Sequence, residues 1–386
     1  MKYTIGDLAE IIDGDRGKNY PQQHEFSDEG YCLFLNTGNV TKEGFSFNSN
    51  QYITKAKSDL LRKGKLQRRD IVYTTRGTVG NAAFYSDDIP YEHIRINSGM
   101  IIIRPKEELV CTEFLYQILK SEYYRPYFRR YCTGSAQPQL PIKNFITIEL
   151  DIPDLQSQRH IADILSTYDA LIENNQKQIK LLEEAAQRLY KEWFVDLRFP
   201  GHENVKITDS VPEGWTWGTL ADIAVFRRGK TITKDQVKAG IIPVVAGGLE
   251  PAYYHDTPNT NAPVVTVSGS GANAGFTRMY HTKVWASDCS YIDAAVTKDT
   301  AWVYCFLKGN KASIDAMQKG AAQPHVYAKD INAMKALFPD DKLMERFREI
   351  AEPMFSRIGK LDMQIRYLVE ARDRLLPKLM SGEIEV

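Results

Sequence analysis

Two eight-residue stretches of this chain nearly repeat each other: GSAQPQLP at Gly134–Pro141 and GAAQPHVY at Gly320–Tyr327. The offset, 186 residues, is close to half of the 386-residue chain. It holds without a gap for about fifty residues, setting Lys143 on Lys329, Pro153 on Pro339, Asp154 on Asp340 and Ile164 on Ile350. Upstream, RGTVGNAAF (Arg76–Phe84) resembles SGSGANAGF (Ser268–Phe276), and IGDLAEI (Ile5–Ile11) resembles WGTLADI (Trp217–Ile223). Such a chain is a duplication of large units, not a solenoid of small ones. Each unit is a globular segment of about 140–150 residues followed by a shared C-terminal segment.

The shared segments read as helices. In the first, the stripe runs Ile161, Ile164, Tyr168, Ile172, Asn175, Ile179, Leu182, Ala186, Leu189, Trp193. In the second it runs Phe347, Ile350, Met354, Ile358, Leu361, Ile365, Leu368, Arg372, Leu375, Leu379. Every step is three or four residues, as in a coiled coil. About 40 helical residues span about 60 Å at 1.5 Å each. So long an amphipathic helix needs an equally long partner, and the chain contains one. The Pro-Gly breaker in RFPGHE (Arg198–Glu203) favours antiparallel pairing, with the globular segments at opposite ends about a pseudo-two-fold axis. The expected organisation is a first globular domain over 1–153, a repeat helix and linker over 154–200, a second domain over 201–338 and a distal repeat helix over 339–386. Asn175 falls where its repeat mate is Leu361; it is either a buried amide that fixes register or an edge position facing solvent. Pro353 should kink or delay the distal helix.

Composition narrows the function. With 43% apolar and 25% charged residues the chain can bury ordinary cores, and no apolar run approaches a membrane span. The opening MKYTIGDLAEII lacks the features of a signal peptide, and five scattered cysteines without a CxxC pair suit a reducing cytoplasm. Formal net charge is zero, so any basic surface must be local. Catalytic motifs fail on inspection. AVFRRGKT (Ala224–Thr231) ends like a phosphate-binding loop but has Ala224 where the first glycine belongs. GSGANAG (Gly269–Gly275) has alanine at the third glycine of a dinucleotide loop and reads better as a turn. The seven histidines are dispersed, and no Asn-Pro-Pro-Tyr/Phe of an adenine methyltransferase occurs. No metal or cofactor site is therefore expected on this chain, which reads as a non-catalytic binding protein.

The globular segments carry candidate contacts. LRKGKLQRRD (Leu61–Asp70) offers Lys65, Arg68 and Arg69, and YYRPYFRRY (Tyr123–Tyr131) interleaves arginines, Arg129 among them, with aromatics. The second stretch suits phosphate contact with stacking, but a helix with core tyrosines and solvated arginines explains it at least as well. VYTTRGTVGNAAF (Val72–Phe84) reads as a strand leading into a loop that offers Thr75, Arg76, Thr78 and Asn81. An exposed Arg can fork onto guanine, and an Asn onto adenine. The corresponding loop offers Ser268, Ser270 and Asn273, without the Arg. In the repeated motif the residue before each proline is extended, so Gln137 should share a face with Gln139, and Gln323 with His325. Residues identical in both halves cannot tell two targets apart. The shared Gly-Ser/Ala-Ala-Gln-Pro is therefore a common element, fixing each domain on its helix or making a contact both halves need. Discrimination falls to Arg76 against Ser268, and Gln139 against His325.

These stretches resemble a family. VPEGWTWGTLADIA (Val211–Ala224), the two motif loops, the repeat helix Ile152–Phe194 and LLPKLMSGEIEV (Leu375–Val386) are together similar to the DNA-specificity subunits of type I restriction–modification systems. The first domain departs from the pattern by starting directly at YTIGDLAEI (Tyr3–Ile11). The resemblance implies two α/β target-recognition domains joined by two antiparallel helices, each domain reading one half of a split, asymmetric site in double-stranded DNA. It implies two modification (methyltransferase) subunits and two restriction (motor-nuclease) subunits as partners. S-adenosylmethionine, ATP and Mg would act on those partners. Arg228 and Lys230 join the candidate DNA contacts on this reading. A coiled-coil scaffold holding two protein-binding domains is the alternative; an unrecognised nuclease or methyltransferase site is a more distant one.

Overall fold

The structure, a computed structural model, describes residues 1–134, 137–320 and 323–384. Ser135, Ala136, Ala321 and Ala322 of the repeated motif, with Glu385 and Val386, lie outside the described residues. The chain divides into two compact units. The first comprises Met1–Ile172 with Tyr367–Val386, and the second Glu173–Arg366.

The two units share one topology. In the first, a four-stranded antiparallel sheet has the order Ala9–Asp13, Met100–Pro105, Ile71–Thr74, Ala82–Phe84. In the second, the order is Arg227–Arg228, Cys289–Asp293, Val264–Ser268, Thr277–Tyr280. Each unit adds a three-stranded sheet. Its middle strand is Cys32–Leu35 or Ile242–Val245, paired antiparallel on one side and parallel on the other. The middle strands Ile71–Thr74 and Val264–Ser268 are buried on both faces, as their unbroken β-branched and aromatic runs require.

Each unit is then closed by pairing its opening strand with the strand just before its helix. Lys2–Thr4 pairs with Glu149–Asp151, and Thr216–Thr219 with Lys335–Phe338. A short helix packs on each four-stranded sheet. Thr112–Lys120 buries Phe114, Leu115 and Ile118 in the first unit; Thr300–Gly309 buries Trp302, Val303 and Phe306 in the second. The tyrosine–arginine stretch behaves as the structural reading expects. Phe128 is buried, Tyr127 donates from its hydroxyl to the Glu149 carbonyl at 2.9 Å, and Arg129 faces solvent.

The repeat helices run over Leu155–Tyr190 and Asp341–Ser381. Their starts are matched. The Asp154 carboxylate accepts from the backbone N–H groups of Gln156 and Ser157 at 2.9 and 3.1 Å, and Asp340 accepts from Leu343 at 2.8 Å. The repeated Pro-Asp is thus a helix cap. The first helix ends in one wide turn, Lys191–Val195, which drives Trp193 and Phe194 into the second unit's core before Gly201 turns left-handed at φ 91°.

In each unit the two helices lie antiparallel. Leu165 and Leu376 share the first unit's core while Asp169 meets Arg372. In the second, Asn175 meets Gln364 and Gln178 meets Arg357. Of the stripe residues, Ile172, Ile358 and Leu361 are buried, and Ile164, Tyr168, Ile179, Leu182, Leu189, Ile365, Leu368 and Leu375 are half-buried. Two expectations are corrected. Ile350 is 41% exposed and the buried position is Ala351, because the helix turns its seam toward Phe347 and Phe355. Pro353 does not delay the helix, which runs unbroken through it. It sits on the exposed face, where its missing N–H costs one hydrogen bond while the opposite face stays buried.

Candidate nucleic-acid interface

The repeated motif is a closed loop, and the hydrogen bonds that close it recur at the same offset. Thr133 and Gln139 exchange backbone bonds at 2.7 and 2.9 Å; Lys319 and His325 do so at 3.0 and 2.8 Å. Gly134 and Gly320 are left-handed, at φ 83° and 101°. A Cβ on either would press on the Gln137 or Gln323 carbonyl, at 2.9 and 2.6 Å. That is why glycine stands there twice. The loop docks on the end of the central strand. The Leu140 N–H donates to the Thr75 carbonyl at 3.0 Å, and the Val326 N–H to the Gly269 carbonyl at 3.1 Å.

These bonds set the true equivalence of the units and correct the one expected. Thr74 accepts from Gly80 N–H, and Ser268 from Gly275 N–H. Thr74 therefore matches Ser268, Thr75 matches Gly269, and Arg76 matches Ser270 rather than Ser268. The turn between the strands is one residue longer in the second unit, so a gapless alignment slips.

The expected contacts divide into two groups. Arg76, Thr78, Gln137, Gln139, Gln323, Lys65, Arg129, Arg228 and Lys230 are exposed. The Arg76 guanidinium makes no hydrogen bond or ion pair with the described residues, while the Lys230 ammonium stands 6.0 Å from the Trp285 ring centre. Others are built into the fold. Asn81 is buried and donates from Nδ2 to the Val40 carbonyl at 2.9 Å, so it is a brace and not an exposed amide. Thr75 and Ser268 are buried, with hydroxyls donating to the carbonyls of Gly99 and Gly247. Asn273 donates to Gly247 as well, and the Ser270 hydroxyl donates to Asp288.

The cluster at Lys65–Arg69 separates likewise. Arg68 stacks 4.3 Å over Tyr85 and donates to the Ser86 and Ile89 carbonyls. Arg69 is gripped by Glu113 and Glu107, whose hydrogen bonds hold its guanidinium charged well above the ordinary arginine range. His325 is half-buried, its Nδ1 2.8 Å from the Gln323 carbonyl and its ring stacked on Tyr327, so it leans on its neighbours instead of standing beside the Gln323 side chain.

In the first unit Arg76 and Gln139 share a cleft of about 350 Å³ with two residues the sequence did not single out, Asp13 and Arg16. Nothing local marks them; they arrive by strand register, since Asp13 pairs with Ile101 beside the central strand. The result is a rim of convergent donors at one end of a rigid sheet, an arrangement able to meet the edges of nucleic-acid bases.

Residues 1–184 match the family model of the type I restriction modification DNA specificity domain. The relatives and the solved structure that the chain resembles are specificity subunits of type I restriction–modification systems. Over 341 residues the chain is 27% identical to the type I restriction enzyme MjaIX specificity subunit of Methanocaldococcus jannaschii, covering 82% of this chain and 78% of that one. A HindI specificity subunit from Haemophilus influenzae is 29% identical over 196 residues, covering 50% of this chain and 42% of its own. In fold, the chain is similar to the crystal structure of the type I restriction–modification system S subunit from M. genitalium. The TM-score is 0.57 at 17% identity, over 98% of this chain and 96% of that chain. Among the described residues no helix is long and apolar enough to cross a membrane, and no three His, Cys, Asp or Glu side chains come together as a metal site.

Proposed function

We propose that this chain reads an asymmetric, bipartite site in double-stranded DNA, one half through each unit, and that the repeat helices carry the two units as a pseudo-two-fold spacer. It would scaffold two modification and two restriction subunits and do no chemistry itself. Methyl transfer from S-adenosylmethionine and Mg-dependent ATP hydrolysis would belong to those cytoplasmic partners. One observation carries the reading: both units present a strand-end loop and a docked motif loop on the same backbone frame, with different side chains at the tips. A common frame with different tips is what two recognitions by one chain require. Zero net charge is compatible, because partner subunits can supply phosphate contacts.

The test uses the chain assembled with its modification subunits on duplexes in which each half-site is scrambled in turn. Arg76→Ala should relax one position of one half-site by about 1–3 kcal/mol and leave the other half-site intact. An equal loss on every sequence would make Arg76 a phosphate contact. Methylation with no bipartite preference in the unaltered protein would remove the proposal.

A further inference from the structure

The cleft beside Arg76 holds a second guanidinium. Arg16 follows a turn that the fold fixes tightly. The buried Asp15 carboxylate accepts from the backbone N–H groups of Gly17 and Arg62, both at 2.7 Å. Gly14 lies so close to Asn97 that a Cβ would stand 2.3 Å from its carbonyl oxygen. The Arg16 side chain is itself anchored on one edge. Its Nη2 donates to Asp13 Oδ1 at 3.1 Å and to the Ser98 carbonyl at 3.3 Å. Both Nη2 hydrogens are then used, which leaves Nη1 and Nε free to donate. The side chain remains 45% exposed on the cleft it shares with Arg76 and Gln139. A free fork at Arg76 and an anchored donor at Arg16 thus converge on one concave surface.

The second unit shows that this rim is where the two frames diverge. Sheet register equates Asp13, opposite Ile101, with Arg228, opposite Ser290. Gly14 matches Gly229, which is pressed just as closely on backbone, 2.3 Å from the Ser287 carbonyl. The strand-end N–H groups of Thr75 and Gly269 donate to the carbonyls of Gly99 and Asp288 respectively, so those two positions also correspond. Around one backbone frame, Asp13, Arg76 and Gly99 are therefore replaced by Arg228, Ser270 and Asp288. Each exchange changes charge, whereas glycine stays at the closely pressed position of Gly14 and Gly229.

We propose that Arg16 is a specificity-determining residue of the first unit, donating to a guanine acceptor in the half-site that unit reads, with Asp13 as its positioning residue. The inference rests on the proposed DNA-reading function. Guanine is chosen because it presents two acceptors, O6 and N7, in the major groove, where cytosine presents a donor and adenine one acceptor beside a donor.

The test is a randomised duplex library methylated by the chain assembled with its modification subunits, with S-adenosylmethionine, comparing Arg16→Ala and Asp13→Asn with the unaltered protein. Arg16→Ala should lose guanine preference at one position of one half-site by roughly 10- to 100-fold, with the other half-site and thermal stability unchanged. Asp13→Asn should weaken the same position by less. Unaltered preference in both variants overturns the role of Arg16. So does a uniform loss with a shallower salt dependence, which marks a phosphate contact. A library in which the unaltered protein selects no sequence overturns the function proposal itself, and this one with it.

Discussion

Asp169 shows how one carboxylate ties three parts of the first unit together. It accepts from Gln117 Nε2 and Lys120 Nζ, each at 2.6 Å, and from Arg372 Nη1 at 2.7 Å. Burial pushes its carboxyl pKa up, but Lys120, Gln117 and Arg372 more than offset this and hold it below the ordinary value. A depressed folded pKa means stability present above the unfolded value of about 3.9 and lost as pH falls through the folded one. Asp169→Ala should cost about 3 kcal/mol by leaving Lys120 and Arg372 without their shared partner, read as a shift in denaturant midpoint. The variant should also lose part of the acid-induced drop in stability below about pH 4; a parallel pH profile would show that folding does not depress the Asp169 pKa. None of this was legible in the sequence, because the partners lie 52, 49 and 203 residues from Asp169 in the chain. The candidate contacts were partly legible. A β-branched run followed by Gly77 and Gly80 announces an exposed turn, and Arg76 is exposed there. Asn81, one residue past that turn, was misjudged because its amide faces inward to Val40. Asp13 and Arg16 were missed because only sheet register brings them to Arg76.

At the scale of elements, the helices were the most legible part, since an apolar period of three to four residues sustained over ten turns fits a long helix and neither a strand nor a loop. The errors came from effects that periodicity does not contain. Ile350 and Ala351 differ by one position, and a seam that winds around a helix moves across neighbouring residues. Pro353 was expected to kink or delay an element that runs unbroken through it, with its opposite face held by Phe347, Ala351 and Phe355. Asn175 resolves to the buried alternative: it is 8% exposed and its Nδ2 stands 3.5 Å from Gln364 Oε1. An amide in an apolar seam costs stability and penalises slipped registers, which would leave it unpaired. Asn175→Leu should therefore stabilise the second unit by about 1 kcal/mol, while loosening register. A thiol cross-linker between Gln178→Cys and Arg357→Cys, neighbours through a 3.4 Å contact, measures that register. Higher stability with lower cross-link yield is the expected pair of results; an unchanged yield would deny Asn175 any part in setting register.

For the whole molecule, the proposal makes the helix pair a ruler. If the repeat helices separate two recognition units, their length sets the gap between half-sites, and their turn sets the relative azimuth of the units on the duplex. Inserting four residues between Asn175 and Lys177 adds about 6 Å of helix and rotates the downstream part of the helix by about 40° beyond a full turn. Four residues keep the apolar stripe nearly in phase, so the seam unwinds slightly and is not broken. The partner strand of the seam must grow too, and the insertion is therefore matched by four residues beside Gln364, which faces Asn175. One base pair advances about 3.4 Å along the duplex, so the lengthened protein should favour a spacer one or two base pairs longer. Each half-site sequence should stay as it was, because the strand-end loops at Arg76 and Ser270 are untouched. The measurement is methylation by the assembled complex across a series of spacer lengths. A folded, active variant with an unchanged optimum would sink the ruler. A changed half-site sequence would mean instead that the helices take part in base readout, and a variant active only when both insertions are present would show that the seam has to stay in register for the spacer to act.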